Sequence, residues 1–88
     1  MTDVVSVRWA DAHCGPSGWV ELDDYTDDQE ELVTTVGFMT PEGSLGFKPG
    51  HVTLWQTISG RDGIHPFHIP AAMVRQITVL YSIDVGLE

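Results

Sequence analysis

Four histidines, one cysteine, three tryptophans and a run of carboxylates are the groups in this sequence with chemistry to offer. His65 and His68 stand in His-Pro-Phe-His, His13 precedes Cys14, and His51 lies apart from both. Zinc would need three or four such groups to converge. Residues three apart on an extended chain point to opposite faces, and Pro66 disturbs the segment further, so the spacing makes no ligand pair. The plain reading is surface or hydrogen-bonded histidines with no metal. Adjacent side chains on a strand also diverge, so His13 and Cys14 make no dyad, and Cys14 reads as a free thiol. Gly15-Pro16-Ser17-Gly18 lacks the strand–elbow–helix setting of a nucleophilic serine. No phosphate-loop or dinucleotide fingerprint is present. These residues predict a protein that is not an enzyme and uses no cofactor; a small metal-dependent enzyme is the weakest alternative.

The carboxylates are concentrated. Acidic residues outnumber basic ones 13 to 4, for a net charge of -9, and six of the 13 fall within residues 23–31: Asp23, Asp24, Asp27, Asp28, Glu30 and Glu31. The run lacks the spaced ligands and central glycine of a calcium loop. A solvated acidic loop is the plain reading. The functional one is a partner-facing patch for a basic protein, or a mimic of nucleic-acid phosphate charge. Clustering in one segment argues against mimicry along the whole surface. The net charge also opposes a nucleic-acid binder and adhesion to an anionic membrane.

The four basic residues are Arg8, Lys48, Arg61 and Arg75. They are too few for a polyanion but enough for one or two phosphates, which suit arginine's bidentate geometry. Arg61 lies in a Gly-flanked turn whose amides could help hold an anion. Trp9, Trp19 and Trp55 are many for so short a chain, and core packing is the ordinary role of such rings. Period-two alternation puts Trp55 on the face opposite Val52, Leu54 and Ile58, exposed between Thr53 and Thr57. An exposed tryptophan there suits a subunit interface or a stacked base. Trp55, Arg61, Arg75 and Lys48 are therefore the candidate ligand-binding residues, and a nucleotide is the class of small anion they fit.

The elements that must position these groups are short and extended. Eighty-eight residues allow one domain with a thin core. Val4–Ala10 alternates with a β-branched face and reads as a strand. Glycine, proline and serine at 15–18 mark a turn, and Trp19–Leu22 restarts an extended segment. Thr26 and Gln29 have the spacing of a capping box for one helical turn. Leu32–Thr40, His51–Ile58, Ile64–Ile69 and Arg75–Tyr81 are further strands. Gly37 marks a bulge, a bend or a close approach, and Ser59–Gly63 is hairpin chemistry. Pro66 favours an edge, and residues 70–74 fit a short 3₁₀ or helical turn. So many strands in so little chain predict an all-β fold: a five- or six-stranded SH3-like or Sm-like barrel over 1–81, with a tail at 82–88. Closing the sheet would remove its edges. No apolar run approaches a membrane span, and no basic leader with an apolar run is present. One cysteine forms no internal disulfide, and a reducing cytoplasm is the expected compartment.

Five segments carry a resemblance in their order: VRWADAH at 7–13, SGWVELDD at 17–24, TTVGFM at 34–39, HVTLWQTIS at 51–59 and IPAAMVRQITVL at 69–80. Together they resemble a group of small proteins encoded by bacteriophages and prophages. The resemblance spans residues 4–80 in pieces and implies a viral small barrel made in a bacterial host. It transfers no catalytic residue. The expectation is a phage accessory binding protein that forms a homo-oligomer, its last strands supplying the edge. It would act as a counter-defence factor, sequestering a nucleotide signal or binding a host protein. An Sm-like nucleic-acid binder is the alternative.

Overall fold

The computed structural model describes residues 2–12, 18–23, 30–44 and 46–83. Five antiparallel strands make one sheet: β1 (Thr2–Asp11), β2 (Glu31–Met39), β3 (His51–Ser59), β4 (Asp62–Pro70) and β5 (Val74–Ile83). A 3₁₀ turn, Ala71–Met73, joins β4 to β5, with Pro70 as its N-cap. The strand order is β4-β3-β2-β1-β5, which places β1 between β2 and β5. Trp19–Leu22, expected as an extended segment, joins no strand and is exposed. β1 pairs directly with β2, with Asp11 opposite Glu31, so this segment is not inserted between them. Residues 15–17 of the expected 15–18 turn, the 26–29 capping box and residues 84–88 lie outside the described residues, while Gly18 has a positive φ of 96. Ser82 and Ile83, expected in the tail, extend β5.

The sheet has two halves joined by a narrow seam. β1 and β2 pair along their length, from Asp3 opposite Met39 to Asp11 opposite Glu31. β3 and β4 pair from His51 opposite Pro70 to Ser59 opposite Asp62. Between β2 and β3 the ladder consists of Phe38 opposite Trp55 and Met39 opposite Leu54. The Thr40 amide extends this seam by donating to the Thr53 carbonyl at 3.0 Å. The halves fold toward each other across the seam. Val5 and Val7 of β1 are buried with Leu54 of β3 and Ile69 of β4, and Trp9, Met39, Val52 and Val74 pack around them. Each large apolar side chain removed from water contributes roughly 1.5–3 kcal/mol. Trp9 also meets Phe67 at 5.7 Å between ring centroids and donates its indole N–H to Thr35 Oγ1 at 3.0 Å.

Gly37 sits inside this packing. The β1–β2 register runs through it without a slip, so it is no bulge. A Cβ there would lie 3.0 Å from both the Leu54 Cβ and the Trp55 carbonyl oxygen. The glycine lets β3 approach β2, the third of the roles its sequence position suggests.

Among the described residues the sheet does not close into a barrel: β4 and β5 each have one neighbour. The chemistry of β4 accounts for this. A proline cannot donate into a ladder, so Pro66 and Pro70, opposite Trp55 and His51, turn their nitrogens to the outer edge and remove two donors from it. His65 stands at φ 55, a left-handed conformation rare for a residue with a side chain, which bends the same edge.

Candidate functional site

The β3–β4 hairpin turns on two residues, Gly60 and Arg61, because Ser59 and Asp62 are already paired. Gly60 has φ 58, and Arg61 is not among the positive-φ residues, which is the pattern of a type II′ turn with glycine at its first central position. The turn presents Arg61 and Asp62 at the sheet's end. Thr40, Pro41, Ser44 and Gly46 of the loop that follows β2 approach the same end, and between them and the turn lies a cleft of about 330 Å³. Phe38, Thr40, Ser44, Trp55, Arg61 and Asp62 are among the residues that line it. Its size is at the low end of the range for small-molecule sites.

Trp55 is half-buried, and this corrects the expectation of an exposed ring. Alternation does place it on the face opposite Leu54, but the 40–50 loop and the hairpin fold over that face. Its indole N–H donates to Thr40 Oγ1 at 2.7 Å. A Cβ on Gly63 would fall 2.7 Å from its Cε3, and one on Gly46 would fall 3.8 Å from its Cζ2. The ring is thus fixed in position as one wall of the cleft, its polar atom already satisfied.

The four basic and aromatic candidates separate into two groups. Trp55 and Arg61 share the cleft. Lys48 and Arg75 are not among its lining residues. Arg75 instead forms a two-pronged pair with Glu30. Its Nε donates to Glu30 Oε1 at 2.9 Å and Nη2 donates to the same oxygen at 2.5 Å, while Nη1 donates to the Ala72 carbonyl at 3.0 Å. The guanidinium lowers the Glu30 pKa, mainly through these hydrogen bonds, and the carboxylate raises that of Arg75 in return. Glu30, expected in a partner-facing acidic patch, is therefore spent within the fold. Asp23 and Glu31 are exposed, and Asp24, Asp27 and Asp28 lie outside the described residues, as do His13 and Cys14.

The remaining histidines have local roles. His68 Nδ1 shares a hydrogen bond with Thr53 Oγ1 at 2.7 Å, which satisfies a threonine hydroxyl that is 1% exposed. His51 Nδ1 donates to the Pro49 carbonyl at 2.9 Å, and the His51 and His68 rings meet edge to face at 6.3 Å. No group of three metal-ligating side chains occurs among the described residues. Sequence reasoning missed Phe38, Thr40, Ser44 and Asp62 at the cleft. Asp62 was accessible, since a two-residue turn after Ser59 fixes its place beside Arg61. The others depend on the β2–β3 register, which no local pattern encodes. No family model, curated protein or solved structure matches the chain.

Proposed function

We propose that this chain is a non-enzymatic phage accessory protein that binds a small anionic ligand of the nucleotide class in the cleft between the 40–50 loop and the β3–β4 hairpin. One observation carries the reading: a positioned indole and an arginine line the same cleft. In this reading Trp55 contacts the base and Arg61 the phosphate, for which its forked donors are suited. Ser44 and Asp62 supply acceptors for ribose hydroxyls or an exocyclic amine. Sequestering a nucleotide signal, as a counter-defence factor would, requires binding and no chemistry. The accompanying fold reading is an opened barrel of SH3-like or Sm-like type. It is supported by the five-strand order, the 3₁₀ turn between β4 and β5, and the packing of β1 against β3 and β4.

Titration calorimetry with mononucleotides, cyclic dinucleotides and ADP-ribose-type compounds tests this. Heat that Arg61→Ala abolishes and Lys48→Ala preserves supports the site. No heat with any of them removes the reading.

A second reading, host-protein binding, is favoured by the segment before the acidic run. Trp19 and Leu22 are 104% and 89% exposed, Val20 beside Trp19 is exposed too, and Leu22 stands between Glu21 and Asp23. Apolar anchors between carboxylates suit a basic, hydrophobic groove on a partner. Sm-like nucleic-acid binding ranks below both, and salt-sensitive binding to single-stranded RNA would reverse that order.

A further inference from the structure

The two outer strands of the sheet differ in what they offer another chain. On β4, Pro66 and Pro70 remove edge donors, and His65 bends the backbone. β5 carries neither proline nor lysine along its ten residues, and its outer edge has no partner among the described residues. Proline and lysine are two of the devices that blunt natural edge strands, and an apolar edge without them can act as a template for pairing.

The side chains around this edge are apolar and uncovered. Ile77 and Val79 lie opposite the buried Val7 and Val5, yet are 42% and 53% exposed. Leu80 and Tyr81 are 51% and 63% exposed. Register shifts at Val4/Val5 and Arg8/Trp9 leave Leu80 and Arg75 as the extra residues, so the ladder is regular from Gln76 to Val79. That four-residue stretch is the part of the edge that can receive a strand, and the irregularities at either end set its limits.

Charge selects the visitor. A chain of net charge -9 repels its own copies across most of its surface. No acidic residue occurs between Asp62 and Asp84, however, and the one charged group on β5, Arg75, is neutralised by Glu30. Two copies therefore approach most easily through this part of the chain. β4 is blunted, so the pairing that remains is β5 with itself.

We propose that the β5 edge pairs antiparallel with the same edge of a second copy, giving a two-fold dimer in which one sheet runs through both chains. The contact is isologous and closes after two subunits, whereas a β4-to-β5 contact would build a ring or a filament. This inference does not depend on the nucleotide reading, because none of its residues lines the cleft.

Sedimentation equilibrium of the full chain over a wide concentration range tests it. The expected species has twice the 9.7 kDa chain mass. Val79→Glu places like charges in the contact and is expected to halve that mass, while Ile64→Glu on β4 leaves it unchanged. A wild-type monomer, a trimer or larger ring, or a dimer lost on Ile64→Glu overturns the proposal. Should Val79→Glu fail to fold, Tyr81→Glu and wild-type amide exchange decide. β5 amides that grow more protected with concentration support the dimer, and concentration-independent exchange overturns it.

Discussion

Gly63 lies flat against the six-membered ring of Trp55, so close that a methyl group on it would fall 2.7 Å from Cε3 and 3.0 Å from Cδ2. The ring has no easy retreat, because its N–H is held by Thr40. Gly63→Ala should destabilise the fold by about 1–3 kcal/mol, the usual cost of overpacking. It should also alter the near-ultraviolet dichroism of tryptophan. Unchanged stability together with an unchanged spectrum would contradict the close approach.

Gly37→Ala tests the seam between the halves. The added carbon meets the Trp55 carbonyl and the Leu54 Cβ, both at 3.0 Å, and backbone yields less readily than the tip of a side chain. A loss of about 2 kcal/mol or more in urea unfolding is expected. Gly43→Ala serves as the comparison. Its Cβ meets open space, but its φ is 80, so only the conformational cost, about 1 kcal/mol, should appear.

Leu54→Ala removes a side chain that is 2% exposed at the centre of the core. The expected loss is about 2–5 kcal/mol, set by how far Val5, Val7 and Ile69 relax into the space. Thr35→Val, which removes the acceptor of the Trp9 indole N–H, should cost about 1 kcal/mol. A core variant milder than the threonine variant would reverse this ranking.

Glu30 and Arg75 predict a weak acid dependence. Glu30 titrates below its ordinary value near 4.5 because the guanidinium hydrogen-bonds its carboxylate. A carboxylate with a lowered folded pKa stabilises the fold above its unfolded pKa, and that stabilisation is lost as pH falls through the folded pKa. Both groups face water, so the effect is small and screened by salt. Thermal melts of wild type and Glu30→Gln should differ slightly at neutral pH in low salt and converge well below pH 4.5. A difference that persists in strong acid would argue against the pair.

The strands were legible in the sequence where alternation was clean. Val5, Val7 and Leu54 stand on the buried faces that their spacing assigns, and Gly60 takes the turn conformation that its neighbours predict. Trp19–Leu22 misled because extended-chain chemistry makes a strand only where the chain is laid against a sheet edge, and here β1 and β2 pair with each other directly. Trp55 misled because alternation assigns a face but not what a loop lays over it. The site was half legible: Arg61 was placed by its turn, whereas the diversion of Arg75 to Glu30 joins residues far apart in sequence. The open sheet followed from Pro66, whose edge character was apparent, but whose effect on closure depends on where β5 settles.

The position of β1 between β2 and β5 has a kinetic consequence. The β3–β4 hairpin closes over a two-residue turn and needs only its own segment. β1 must capture strands from both directions, and its far partner runs from Val74 to Ile83. Loop-closure entropy makes such distant pairings late. The hairpin that carries Arg61 should therefore form early in refolding, while β1 docks with β5 last. Val5→Ala and Val79→Ala should then act mainly by speeding unfolding, and Ile69→Val by slowing folding.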